Sequence, residues 1–220
     1  MKNDRKKWMI ISIVLLIITV VYTVLVKYVD VKPIGQHNTD VGFSLLNKYV
    51  RGLLPYKELF YKISKYVGFL PFGFVAAYGL HGLINLIKNK GFKKMDKRYI
   101  ILGLFYVIFV GLYIFFEKVI INYRPYGEFE ASYPSTHTLI AICLCGTSLI
   151  VSKQLIKNKT MRVLFDIAAW ILMVTIVVTR VLSGVHWASD IIGGIIIGLT
   201  YLSFFKCSLL HLNDRELTVA

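Results

Sequence analysis

Residues 8–26 read WMIISIVLLIITVVYTVLV, an apolar run without one charged side chain. Its length is close to the ~20 residues a helix needs to cross ~30 Å of hydrocarbon. Five more runs follow, at 66–87, 99–120, 138–151, 163–181 and 191–205. The run at 138–151 is short for a full crossing unless it continues through Gln154. Lipid supplies no hydrogen-bond partners, so each run must pair its own backbone as a helix. With 56% hydrophobic residues and a mean hydropathy of +0.64, the chain reads as a membrane protein and not a soluble domain of equal length. The expected fold is all-α: a polytopic, six-transmembrane-helix bundle forming a single membrane-embedded domain over 1–220.

The first run follows Lys2, Arg5, Lys6 and Lys7 but is too long for a signal-peptide core and has no small-residue cleavage site after it. It is expected to be an uncleaved anchor. Basic residues also orient the chain. Lys88, Lys90, Lys93, Lys94, Lys97 and Arg98 follow the second run; Lys153, Lys157, Lys159 and Arg162 follow the fourth. These segments and the amino terminus are expected on the cytoplasmic side of a cell membrane. An even number of spans then puts the carboxyl terminus there too. The connection between the first two runs is also basic, with Lys27, Lys32, Lys48, Arg51, Lys57 and Lys62. Long connections obey the charge rule less strictly.

A net charge of +14 could suggest nucleic acid, but the charge lies mostly in short loops beside anionic headgroups and no nucleic-acid motif accompanies it. The expected partners are membrane lipids, with no nucleic acid. Cys143, Cys145 and Cys207 suggest neither a disulfide framework nor a metal site. Within 30–65, the segment 41–50 has the apolar spacing of a short interfacial helix between spans 1 and 2. It reads either as a gate for a lipid or as a packed connector. Gly193, Gly194 and Gly198 are assigned to close helix packing.

Three polar groups stand where spans should end: Arg124-Pro125; Pro134-Ser135-Thr136-His137; and Thr179-Arg180 with His186 and Asp190. Ionisable groups at membrane boundaries are costly to retain. The expected topology brings all three to the outer face. His186 and Asp190, four apart, would share one face of a helix. A carboxylate on one imidazole nitrogen fixes the tautomer and frees the other as a nucleophile. The pair reads equally as a helix cap. Arg124 and Arg180 could each grip two phosphate oxygens, or simply snorkel to lipid phosphates. Ser135 is a plausible N-cap, and the helix start behind it offers free N–H groups to an anion. His137 could protonate a departing oxygen, or be an interfacial histidine beside a cap.

These residues resemble the integral-membrane branch of the type-2 phosphatidic acid phosphatase superfamily. Its pattern is Lys, six residues, Arg-Pro; then Pro-Ser-Gly-His; then Ser-Arg, five residues, His, three residues, Asp. The third element is matched with Thr179 in place of Ser, the second with Thr136 in place of Gly. The resemblance implies a hydrolase that removes phosphate from a lipid through a phosphohistidine, with no metal and no cofactor. His186 would be the nucleophile, Asp190 its partner and His137 the general acid. Arg124, Arg180, Ser135 and the Thr136 N–H would hold the phosphoryl oxygens. Undecaprenyl pyrophosphate, phosphatidylglycerol phosphate and phosphatidic acid are the candidate substrates. A lipid-linked phosphotransferase shares the first half-reaction, and a non-catalytic lipid-phosphate-binding protein would keep the same pocket. The first element departs from the pattern: Glu117 stands seven before Arg124, and Lys118 stands six before it. A one-residue shift turns a helical side chain by roughly 100°.

Overall fold

The computed structural model describes residues 2–219, with side chains from 3 to 212; Met1 and Ala220, the termini expected on the cytoplasmic side, lie outside the described residues. Nine α-helical segments make up the bundle among those residues. They are α1 (Lys2–Tyr28), α2 (Ser44–Leu53), α3 (Glu58–Val67), α4 (Phe72–Lys88), α5 (Lys97–Lys118), α6 (Thr136–Ile140), α7 (Gly146–Leu155), α8 (Lys159–Ser183) and α9 (Ala188–Val219). Six stretches are long and apolar enough to cross a membrane: Asn3–Tyr28, Glu58–Lys88, Lys97–Lys118, Thr136–Leu155, Lys159–Ser183 and Ala188–Leu212. Two of them differ from the expected limits in ways that matter. The second is longer at its start, because α3 joins α4 through a tight turn at 68–71. The fourth is not short: α6 and α7 are continuous through one π turn, Ala141–Cys145.

That fourth span is the centre of the bundle, with 72% of its window buried against 11% for the span ending at Ser183. Its close neighbour is α9. A Cβ on Gly198 would lie 2.6 Å from Ile142 Cγ2, and one on Gly194 would lie 3.1 Å from the Ser135 carbonyl oxygen. The glycines let α9 approach this close, consistent with the packing role read from sequence. Around this pair the core is apolar and aromatic, with Phe105 edge-on to both Tyr201 and Phe205.

The lengths of the helices fix where their ends fall. The start of α9, the end of α8, the start of α6 and the loop after α5 meet at one end of the bundle. The ends of α4 and α7 and the starts of α5 and α8 lie at the other. There they surround a cavity of about 730 Å³ lined in part by Lys88, Arg98 and Lys157.

The connection after α1 is built, not slack. Asp30 Oδ2 accepts from the Leu45 N–H at 2.7 Å and so caps α2 from a distance. Asn47, buried on α2, accepts from the Ser189 N–H at 3.1 Å and donates to Ser189 Oγ at 3.0 Å. That exchange docks α2 on the first turn of α9. The Lys57 N–H donates to the Ser183 carbonyl at 3.0 Å, which brings α3 against the end of α8.

Candidate active site

The last turn of α8 carries Arg180 inward, only 1% exposed. A cation at a helix C-terminus gains from the helix dipole, and the Tyr61 ring of α3 lies 5.5 Å from its guanidinium carbon. The helix stops at Gly184, which takes φ 65. A side chain there would be strained, and its Cβ would meet Leu54 O and Tyr56 N at 2.9 Å. The chain then turns through His186 before α9 begins at Ala188.

His186 therefore lies outside the helix, and the expected shared face with Asp190 does not form. Asp190 is the third residue of α9; it accepts from the Trp187 N–H at 3.1 Å, reaching back to cap its own helix. The capping role is real, but it is only part of what this carboxylate does. Fully buried, Asp190 also accepts from Asn122 Nδ2 at 2.9 Å and from Ser132 Oγ at 2.5 Å. His186 Nδ1 is 3.0 Å from the same Ser132 Oγ. The serine stands between the two residues that sequence spacing would join directly.

This chain of contacts fixes the protons. A carboxylate can only accept, so the Ser132 hydroxyl donates to Asp190. Its oxygen is then free to accept the Nδ1–H of His186. That leaves Nε2 of His186 unprotonated. Burial, then the charges of Arg180 and Arg124, hold His186 well below the usual histidine range, so the ring is neutral at pH 7.

His137 stands in the first turn of α6, and Arg180 Nη2 touches its Nδ1. Every guanidinium nitrogen is a donor, so Nδ1 accepts and the proton of His137 sits on Nε2. Ser135 precedes α6 at the N-cap position but makes no capping bond with its side chain. Its hydroxyl accepts from Thr138 Oγ1 at 3.0 Å, and its N–H donates to the Asp190 carbonyl at 3.0 Å. Ser135 thus ties the second motif to the third. Thr136 follows it, half-buried at the helix start.

Arg124 comes from the loop after α5. Its N–H donates to Glu130 O at 3.1 Å and the Ser132 N–H donates to Asn122 O at 2.9 Å, closing the loop on itself. Tyr123 stacks on Phe129 at 4.0 Å, and the Trp187 indole donates to Tyr123 O at 2.8 Å. The Arg124 side chain pairs with Glu130 at 2.9 Å. Arg124 Nε and both Nε and Nη1 of Arg180 are buried without a hydrogen-bond partner among the described residues.

Glu117 and Lys118 are not brought into this group. Both are exposed at the end of α5, and neither pairs with Arg124. The acid that Arg124 meets is Glu130. Sequence reading also missed Ser132 and Asn122. Each stands two residues ahead of a motif, and neither a serine nor an asparagine in a loop stands out by its cost.

Comparison with known proteins bears on this arrangement. Residues 113–212 match the model described as the PAP2 superfamily, a region that contains every motif residue above. Among solved structures the chain resembles the "first transmembrane PAP2 type phosphatidylglycerolphosphate phosphatase from Bacillus subtilis". Identity is 17%, the TM-score is 0.55, and the match covers 89% of this chain and 94% of that one. No curated protein matches the sequence.

Proposed function

We infer that this chain, which belongs to the PAP2 superfamily through residues 113–212, is a membrane lipid phosphatase working through a phosphohistidine on His186. The observation that carries this reading is the set of buried, unpartnered N–H groups on Arg124 and Arg180 beside two histidines with opposite proton placement. A buried donor without an acceptor costs about 1–3 kcal/mol. Three such donors in one place suit an anion with several oxygens, and a guanidinium fork suits phosphate above all.

Nε2 of His186 attacks phosphorus, forming a P–N bond as the bond from phosphorus to the leaving oxygen breaks. The leaving oxygen takes the proton of His137 Nε2, and the Arg180 cation at Nδ1 balances the negative charge left on the ring. His137 then removes a proton from water as that water attacks phosphorus. The P–N bond breaks, its electrons return to Nε2, and inorganic phosphate departs. Arg124 and Arg180 face the charge that builds on the phosphoryl oxygens, with the Thr136 N–H as a further donor. Asp190 acts on the nucleophile through Ser132. No step requires a metal.

The site lies at the end of the bundle away from the loops holding Lys88, Lys93, Lys94 and Lys157, which supports an extracytoplasmic position. Undecaprenyl pyrophosphate, phosphatidylglycerol phosphate and phosphatidic acid are the substrates to test, the second being what the Bacillus subtilis neighbour acts on. The test is phosphate release from these lipids in detergent containing a chelator, for wild type and His186→Ala. Wild type is expected to release phosphate unaffected by the chelator, and His186→Ala to fall by about 10³-fold or more. Activity lost to the chelator would overturn the metal-free route. Activity surviving His186→Ala would overturn the nucleophile.

A further inference from the structure

The cavity of about 730 Å³ between α4 and α8 lies at the end of the bundle away from His186, and the phosphatase chemistry gives it no role. Its volume is within the range of sites that hold a ligand. Aromatic contacts close its inner end: the Phe165 ring of α8 is 5.8 Å from Phe74 and 6.3 Å from Tyr78, both on α4. Tyr78 stands ten residues before Lys88, the last residue of α4, which is about 15 Å of helix. Over that length α4 and α8 face each other across the cavity instead of packing.

Two lining residues, Ile84 on α4 and Met161 on α8, are 40% and 48% exposed. Both belong to membrane-spanning stretches, where an exposed apolar side chain faces acyl chains. The cavity therefore opens sideways to lipid as well as at its mouth.

The mouth is cationic. Lys88 ends α4, and Lys157 stands in the turn between α7 and α8. Neither pairs with a carboxylate among the described residues. The acid that lines the cavity, Asp96, is already taken: Arg98 donates to it from Nε at 2.8 Å and from Nη2 at 2.6 Å. That pair cancels itself and leaves the charge of the two lysines unanswered.

Apolar walls open to acyl chains and two unanswered cations at the mouth suit an anionic lipid. A soluble anion would use the lysines and leave the walls wet. A neutral lipid would cover the walls and leave the lysines as they are. We propose that the wedge between α4 and α8 binds an anionic phospholipid from the leaflet beside the basic loops. An acyl chain lies along Ile84 and Met161, and the phosphate sits between Lys88 and Lys157. This site is separate from the one that holds His186 and stands whichever reaction occurs there. A lipid bound only by the folded bundle raises its stability.

The test is thermal unfolding of the full chain in a neutral detergent. It is titrated with phosphatidylglycerol, with phosphatidylcholine of the same acyl chains, or with soluble glycerol 3-phosphate. Phosphatidylglycerol is expected to raise Tm saturably, phosphatidylcholine far less, and glycerol 3-phosphate not at all. Lys88→Gln/Lys157→Gln should weaken phosphatidylglycerol by about 10- to 30-fold, the effect of two lysines beside an anionic headgroup. Lys93→Gln/Lys94→Gln removes the same charge from the basic turn outside the cavity and should change binding by less than about threefold. Equal losses in the two double variants would mean diffuse attraction to headgroups and would overturn the site. Equal effects of the two lipids, or glycerol 3-phosphate acting as well as phosphatidylglycerol, would overturn the ligand. No loss in Lys88→Gln/Lys157→Gln would overturn both. All four lysines are exposed, so folding is not at risk. Native mass spectrometry counts bound phosphatidylglycerol independently of stability. One retained lipid is expected in wild type and in Lys93→Gln/Lys94→Gln, and its persistence in Lys88→Gln/Lys157→Gln would also count against the site.

Discussion

Ser132 is the residue on which the candidate site turns, because it decides which imidazole nitrogen of His186 is free. Removing its hydroxyl breaks the contact between carboxylate and imidazole without touching phosphate. Ser132→Ala is expected to lower kcat by about 10²-fold or more with KM within about threefold. Adding Asp190→Asn should then cost little more, because both changes cut one chain. Ser132→Thr keeps the hydroxyl and should retain activity. Steady-state kinetics on these variants and on Asp190→Asn alone, beside wild type, check this, and losses that simply multiply would sink the relay. The burial of His186 has a second consequence. Its folded-state pKa lies well below the unfolded value of 6.5, so below pH 6.5 the unfolded chain binds a proton that the folded one refuses. The contribution of His186 is fully present above that value and is lost with acid by about 1.4 kcal/mol per pH unit until the folded pKa is reached. Thermal unfolding between pH 7 and 5 should lose more stability with acid in wild type than in His186→Gln, the difference between the two slopes being the His186 contribution. His186, Asp190, His137 and the two arginines were legible in sequence because ionisable residues are rare and costly at span ends. Their spacing misled in one respect. The four-residue interval between His186 and Asp190 suggests a helical pair, yet the helix begins between them, and a serine from another loop fills the gap.

At the scale of elements, the connection between the first and second spans is what sequence left open, and packing assigns it a place. At 41–50 the structure docks α2 on the start of α9 through Asn47 and leaves Leu45, Leu46 and Tyr49 exposed, while the turn after α3 lies against His137. The amphipathic spacing was enough to find a helix there. It could not say what the helix covers, because its apolar residues suit a lipid surface and a protein surface equally. The polar residue that docks it is Asn47, at 1% exposure. Its side chain bonds the Gly42 carbonyl at 2.8 Å as well as both the N–H and the hydroxyl of Ser189. Asn47→Ala would leave the Ser189 N–H without its acceptor at the first turn of α9, next to Asp190. The expected cost is about 1–3 kcal/mol, or a Tm lower by about 2–4 °C per kcal/mol for a chain of this size. Lipid phosphatase activity should fall with it, since α9 carries Asp190. An unchanged Tm in detergent would mean that α2 is only draped over the bundle.

At the scale of the whole molecule, hydropathy made six spans legible, and the order of those spans places the polar groups at one end and the densest basic loops at the other. The basic connection at 27–62 is the exception. Part of its charge is answered locally, with Lys62 paired to Glu58 at 2.8 Å and Lys32 near Asp30 at 3.7 Å. Those pairs leave less free charge to hold the segment inside. The connection after α4 also pairs one charge, Arg98 with Asp96, but keeps Lys90, Lys93 and Lys94 in a short turn, where the charge rule acts most strongly. The expected topology therefore puts Lys93 in the cytoplasm and Glu128, in the Arg124 loop, outside. Lys93→Cys and Glu128→Cys, each made with Cys207→Ser, test this directly; Cys143 and Cys145 are buried and should stay silent. A membrane-impermeant maleimide applied to intact cells is expected to label Glu128→Cys, and Lys93→Cys only after permeabilisation. The opposite pattern would invert the bundle. It would put His186 on the cytoplasmic face and restrict its substrates to lipids of the inner leaflet, with the chemistry of the site unchanged.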